Sequence, residues 1–358
     1  MNGIIRHIRF LFAAAVCCAV LSACHVENYR EICDYKVQLR YDYNEENSSG
    51  GVNKIEYYVN NIDEYIFDER GILLHYRRFT AARCKEYLNS EIDLPPGQYS
   101  VIAIGNIDDR STVWDAQTGI APVESHTHRE DMRMTLTNAT AMPGDTKGPC
   151  EPLYYGYRTF TVKEQGISRI RVDMIHAHLK LRFRVTWKNT AAPARDEGYY
   201  STLESIPSEY ALMPQYYYPA GSFACQGHDP SQDTYPSSSN DVIHHIPYTC
   251  RMDGAGQPIN LLKYRCDTKV NADWEMWGDF TAYRIKTETG LRLRILGADG
   301  QSILPKGNDI DLQAYFAWYS YELDHTLRQE YELDIVVDGE TIYVNPLRIG
   351  DWDEGGKL

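Results

Sequence analysis

Apolar positions in this chain recur mostly at every second residue. Val37, Leu39, Tyr41 and Tyr43 alternate with Gln38, Arg40 and Asp42. Leu179, Leu181, Phe183, Val185 and Trp187 alternate with Lys180, Arg182, Arg184 and Thr186. Leu291, Leu293 and Ile295 alternate with Arg292 and Arg294. Successive side chains of a strand point to opposite faces, so each run sets one apolar face on a core and one charged face in water. Antiparallel sheets carry this pattern. Residues 99–104 and 312–321 are apolar or aromatic on both faces, which predicts central or doubly covered strands. Asp338-Gly339 separates 333–337 from 341–344 and predicts a two-residue hairpin. Asp299-Gly300 and Pro95-Pro96-Gly97 predict turns beside strands. Long helical periodicity is absent; the pattern leaves room for short helices near 112–117 or 60–65. The fold class expected is all-β, built of antiparallel sandwiches.

The pattern also breaks the chain in two. Ile170, Val172 and Met174 end one alternating segment, and His178 opens another. The second opens like 37–43, with a long amphipathic first strand. An N-terminal domain over 24–175 and a C-terminal domain over 176–358 are expected. Two such domains of about 150 residues suit the length better than one. Residues 121–148 and 189–258 interrupt the strand pattern. The second stretch, with Tyr216-Tyr217-Tyr218-Pro219 and Ser237-Ser238-Ser239-Asn240, predicts a long surface excursion on the C-terminal domain.

The first residues follow another logic. Arg6, His7 and Arg9 precede an apolar run over 10–20, and Leu21-Ser22-Ala23-Cys24 closes it. This is the layout of a secretory signal peptide over 1–23. The run is shorter than the about 20 residues that span a bilayer. Its end resembles the lipobox of bacterial lipoproteins. That resemblance implies cleavage after Ala23, a diacylglycerol on the Cys24 sulfur, and an acyl chain such as palmitate on the new N-terminus. Each buried methylene contributes about 0.8 kcal/mol, so such an anchor holds stably. His25 stands where an aspartate would signal inner-membrane retention, which fits export to the outer membrane. No second stretch reaches membrane length.

The net charge of -14 argues against nucleic acid as a partner. Of nine cysteines, Cys17 and Cys18 leave with the signal peptide and Cys24 takes lipid. Cys33, Cys84, Cys150, Cys225, Cys250 and Cys266 remain as disulfide candidates in an exported chain, with the pairing open. None has C-x-x-C spacing, so zinc and thioredoxin chemistry lack support. Tyrosine is abundant, with 28 copies against 9 phenylalanines, as suits strands and half-wet faces.

Catalytic frameworks are missing. The chain has no G-x-S-x-G elbow, no H-E-x-x-H and no phosphate-cradling glycine loop. Its carboxylates mostly alternate with apolar residues, as on a solvated strand face. No catalytic residue and no cofactor is expected. His126-x-His128 and His176-x-His178 have ligand-like spacing on a strand, but no acidic or cysteine residue is compellingly placed as a third ligand. Exposed or interdomain histidines, and no metal, are therefore expected. Trp274-x-x-Trp277 and the aromatics over 315–321 suit sugar stacking or a packed core; at strand spacing the core is the expectation.

A family resemblance runs through the mature chain. Cys33-Asp34 leads into Val37-Gln38-Leu39-Arg40-Tyr41-Asp42-Tyr43-Asn44, and Tyr65-Ile66-Phe67-Asp68-Glu69-Arg70-Gly71 follows. Leu94-Pro95-Pro96-Gly97-Gln98-Tyr99-Ser100-Val101 comes next, and Asp338-Gly339 and Ile349-Gly350-Asp351-Trp352-Asp353 close the chain. These segments resemble the FimB-type fimbrial anchor lipoproteins of type V pili. The resemblance implies two transthyretin-like β-sandwich domains in tandem. It implies a surface-exposed outer-membrane lipoprotein that holds the base of a fimbrium and meets pilin subunits by strand exchange. Outer-membrane lipid and fimbrial subunits are the expected partners. A surface glycan-binding lipoprotein and a fimbrial tip or stalk subunit are the alternative readings.

Overall fold

A computed structural model describes residues 36–43, 53–80, 90–137, 141–142, 145–164, 166–195, 197–219, 226–227, 243–248, 261–285, 290–320, 323 and 329–345. The strands of the first half are β1 (Lys36–Tyr43), β2 (Ile62–Phe67), β3 (Leu73–Phe79), β4 (Ser90–Asp93), β5 (Gly97–Gly105) and β6 (Ser111–Asp115). β7 (Met132–Leu136), β8 (Ala141–Met142), β9 (Thr146–Lys147), β10 (Tyr154–Val162) and β11 (Ser168–His176) complete them. The second half holds β12 (His178–Lys188), β13 (Tyr199–Pro207), β14 (Glu209–Pro219), β15 (Gln226–Gly227), β16 (Ile243–Tyr248) and β17 (Leu261–Val270). It ends with β18 (Met276–Tyr283), β19 (Arg292–Leu296), β20 (Ile310–Asp311), β21 (Gln329–Asp338) and β22 (Thr341–Val344). Two short helices, α1 (Ile55–Tyr58) and α2 (Leu312–Trp318), are the α-helices among the described residues.

The strands form three sheets. The first runs β3-β2-β5-β10-β11-β1-β4. The second runs β20-β19-β13-β17-β18-β12-β21-β22, with β8 and β9 attached at β17. The third runs β15-β14-β7-β6, with β16 on β14. The opening strand of each half lies parallel to a long late strand of the same half: β1 beside β11, and β12 beside β21. Thus the similarity of 37–43 and 178–187 extends to their pairing.

The first sheet curls, and side chains join its two ends. Glu64 on β2 and Arg77 on β3 belong to one end; Tyr41 on β1 and Ser90 on β4 belong to the other. All four meet in one network. Inside the curl lies one core, with Val37, Leu39, Tyr41, Ile62, Ile66, Val101, Ala103, Phe160, Val172 and Met174, and with Ile55 and Tyr58 of α1. The alternate residues Tyr65, Phe67, Ile102, Ile104, Tyr155 and Tyr157 face outward into a second core. That core continues through Met132, Met134 and Tyr210 of the third sheet to Leu181, Phe183, Leu293 and Leu333 of the second. Strand β5 is therefore covered on both faces, as the unbroken apolar run at 99–104 predicts.

The fold departs from the sequence pattern in several places. Residues 312–318 form α2 and not a strand. Asp311 caps it, its Oδ1 accepting from Ala314 N at 2.9 Å, and Leu312 and Phe316 lie one turn apart in the core. A run apolar on both faces has no period of two to force a strand, and the cap decides. Conversely, 111–115 and 62–67 are strands and not helices. In β2 every residue is buried between β3 and β5, and tertiary pairing overrides local propensity. The stretch 189–258 contributes β13, which lies between β17 and β19, and β14, which pairs with β7 across the middle of the chain. The hairpin at Asp338-Gly339 forms, but Asp338 pairs with Thr341, so Gly339 and Glu340 make the loop. Gly339 takes φ 60, in the left-handed region that favours glycine.

Candidate functional site

Sheet edges are the natural place for another chain to add a strand, because an edge presents open backbone groups. Among the described residues, β22 pairs with β21 alone. Its side chains alternate between exposed Thr341 and Tyr343 and half-buried Ile342 and Val344. β4 pairs with β1 alone. The edge at β3 is partly taken, since Leu73 N donates to Thr127 O at 2.9 Å and Ser125 N donates to Leu73 O at 2.7 Å. Arg77 reaches from β3 across to β4, Nη1 donating to Glu91 O at 2.7 Å.

The opening strand β1 is tied in place by more than its ladder. The Tyr41 hydroxyl donates to Glu64 Oε2 at 2.5 Å, and Arg77 Nη2 pairs with Glu64 Oε1 at 2.5 Å. Ser90 Oγ donates to Glu64 Oε2 at 2.9 Å. Glu64 is fully buried, while its partner Arg77 keeps 30% of its side chain exposed. Burial, with the Glu64 charge beside it, pushes the Tyr41 hydroxyl well above the usual phenol range. Asn53 clamps β1, donating from Nδ2 to Tyr41 O and accepting from Tyr43 N at Oδ1, each at 3.0 Å. Asp42 holds Arg171 at 2.8 Å, and Arg171 also meets Asp173 at 2.7 Å.

Asp173 carries a pH dependence. Burial pushes its carboxyl up from 3.8 to about 6; the neighbouring Asp42 adds to this, and Arg171 and Arg158 oppose it. The folded protein thus holds the proton to higher pH than the unfolded chain. Asp173's contribution is fully present below about pH 4 and is lost as pH rises through about 6. The rise from 3.8 to about 6 corresponds to about 3 kcal/mol. Relative to wild type, Asp173→Asn is expected to gain about 3 kcal/mol between pH 4 and pH 7. Urea midpoints across that range check it, and a stability difference that stays flat with pH contradicts it.

The two sequence pairs of histidines lie in different settings. His126 is exposed in the loop before β7, and His128 Nε2 contacts Arg70 O at 2.7 Å. His176 ends β11 and His178 begins β12, with only Ala177 between the first and second sheets. Their rings stack at 4.7 Å and 18°. Tyr43 and Tyr154 surround them, and Tyr43 Oη lies 2.5 Å from His176 Nε2. Glu330 at the start of β21 completes the group, its Oε1 3.5 Å from His176 Nδ1. Sequence spacing exposed the two histidines; nothing in it pointed to a glutamate more than a hundred residues on.

Trp274, Trp277 and Trp318 are not core residues, contrary to expectation. Trp274 sits in the turn before β18 with 48% of its surface exposed, and Arg195 stacks on it at 4.0 Å. Trp277 on β18 faces Arg184 at 5.5 Å. Trp318, at the end of α2, is 84% exposed. An open cleft of about 960 Å³ lies at the far end of the second sheet, lined by Trp187, Pro193, Tyr199, Ile303 and Lys306 among others.

Cys150 and Cys266 have free thiols. Burial pushes the Cys150 thiol well up and that of Cys266 to about 12, so neither forms a nucleophilic thiolate near neutral pH. Cys24, the junction after Ala23, Cys33, Cys84, Cys225 and Cys250 lie outside the described residues. Among the described residues no helix is long and apolar enough to cross a membrane.

Comparison with known proteins places this architecture. The family model "Fimbrillin-A associated anchor proteins Mfa1 and Mfa2" matches residues 30–354. No curated protein matches the chain in sequence. The fimbrial anchor protein Mfa2 from Porphyromonas gingivalis is similar in structure, with a TM-score of 0.57 at 16% identity, covering 88% of this chain and 97% of that one. A candidate polysaccharide-binding protein from Bacteroides thetaiotaomicron gives 0.57 at 14% identity, covering 88% and 98%. A candidate adhesin from Bacteroides ovatus gives 0.56 at 13%, covering 87% and 96%. At such identities the likeness to solved structures is one of fold.

Proposed function

We propose, because the chain belongs to the family of the fimbrillin-A associated anchor proteins, that it holds the base of a fimbrium at the outer membrane. The family match over 30–354 carries this reading. Cys24 supplies the tether through its diacylglycerol and amide-linked acyl chain. The sandwiches over 24–175 and 176–358 supply the grip, by pairing a sheet edge with a strand of the first fimbrial subunit. Main-chain hydrogen bonds then give affinity, and pockets for alternate side chains give specificity. The exposed edge at β22 suits that pairing; the multiply tied β1 suits a chain that keeps its own first strand.

The protein does this without catalysis. Its partners are fimbrial subunits and outer-membrane lipid, and its place is the cell surface. Exposed Trp274 and Trp318 favour one second reading, a surface that binds glycans. Gel retardation on polysaccharides separates the two.

The anchoring reading is tested on native protein extracted from outer membranes. Mass spectrometry of the N-terminal peptide is expected to find an acylated Cys24 as first residue, with fimbrial subunits in the same eluate. A mature start well beyond Cys24 would instead mark a polymerising subunit.

A further inference from the structure

The junction between the first and second sheets holds a group that the anchoring role does not use. His176, His178 and Glu330 each offer one ligand atom, and these atoms lie within 4.8 Å of one another. All three side chains are wholly enclosed, with 1%, 0% and 0% of their surface exposed. From this geometry we propose that His176, His178 and Glu330 form a binding site for a divalent transition metal of the zinc class, stapling the two halves of the chain together.

The backbone explains the convergence. Residues 176 and 178 stand two apart along an extended segment, so their rings leave the same face and stack. β12 lies parallel to β21, which brings the start of that strand under the rings. One ligand then comes from the first sheet and two from the second.

Surrounding contacts orient the ligands as metal-binding imidazoles usually require. His178 Nδ1 donates to Leu153 O at 2.7 Å, which leaves Nε2 as the ring nitrogen that carries a lone pair. Tyr43 Oη holds His176 at Nε2, so Nδ1 is the nitrogen turned to Glu330. A tetrahedral zinc with bonds of about 2.0–2.1 Å keeps its ligands about 3.3 Å apart. The 3.5 Å between His176 Nδ1 and Glu330 Oε1 already matches this. The widest separation is at most 4.8 Å, and the proposed site requires the metal to draw these ligands closer.

The donor set selects the metal. Two imidazoles and one carboxylate suit zinc, nickel or copper, whereas calcium and magnesium prefer oxygen ligands. Buried Arg284 donates from Nη1 to His176 O at 3.1 Å, which holds the backbone that carries the first imidazole. Enclosure implies that metal enters as the halves dock and leaves slowly afterwards.

The test uses the full chain in detergent without a histidine tag. Protein unfolded in chelator is refolded with or without ZnCl2, dialysed, and analysed for bound metal. One equivalent of zinc is expected, resistant to EDTA in the folded state, with a melting temperature raised by several degrees. Refolding with CoCl2 is expected to give the visible absorption of a low-coordinate nitrogen-ligated cobalt. His178→Gln and the near-isosteric Glu330→Gln are expected to lose the bound equivalent and the thermal shift. Wild-type protein that takes up no zinc on refolding overturns the proposal. So does zinc retained at one equivalent in folded Glu330→Gln and His178→Gln, which would place it on surface histidines such as His126.

Discussion

Cys24→Ala protein is expected to leave the outer-membrane fraction and to take the fimbriae with it. In the proposed anchor the substitution removes every acyl chain at once, because the sulfur would take the first modification and the freed amine the last. One acyl chain alone gives only marginal membrane binding, and two or more make it stable. With none, the proposed tether is gone, and among the described residues no helix is long and apolar enough to cross a bilayer in its place. Membrane-associated protein should fall at least about tenfold. Fibres should appear in the medium, assembled but detached. Quantitative immunoblots of both fractions, with electron microscopy of the medium, check it. Fibres that remain on the cell at normal number and length would contradict the tether.

Glu64→Ala is expected to be the most damaging single change in the first sheet. Glu64 is fully enclosed and receives Tyr41, Ser90 and Arg77. Removing one partner of a buried ion pair costs about 3–5 kcal/mol, mainly through the charge left behind. Arg77 retains 30% side-chain exposure and can turn partly to water, which places the loss nearer about 3 kcal/mol. The consequence reaches beyond stability. Glu64 links β2 and β3 at one end of the sheet to β1 and β4 at the other, so its loss should loosen the opening strand. Replacing Glu64 and Arg77 together by leucine and methionine should recover most of the loss, since a paired charge can be exchanged for apolar packing. Urea midpoints for the single and double variants decide; equal losses in both would refute the staple.

How much of this was legible in the sequence follows from what each signal encodes. Alternation fixes which face of a strand is buried, so β1, β12 and β19 could be read directly. The two-residue turn at 338–341 was legible because glycine there meets a positive φ. Residues 312–318 were not, because an aromatic run without alternation carries no period, and the Asp311 cap outweighed strand propensity. Long-range partners were also hidden. Periodicity places His176 and His178 on one face, but only the parallel register of β12 and β21 brings Glu330 to them. Likewise, the alternation of β1 shows that Tyr41 points inward, but not that the sheet curls until Tyr41 meets Glu64. The exposure of Trp274 depends on a turn with φ 59 at that residue, a local backbone choice that aromatic spacing does not report. The fimbrial assignment was legible for a different reason: short motifs spread along the mature chain fell in the right order.

In the proposed grip, a lipid-fixed chain completes a sheet with a strand from the first subunit. Amide hydrogen exchange on the anchor, alone and bound to that subunit, addresses it most directly. New protection is expected along one contiguous edge strand, with alternate amides slowed, as a ladder of main-chain hydrogen bonds requires. A complex that forms with equal affinity while every edge strand exchanges as in the free protein would contradict it.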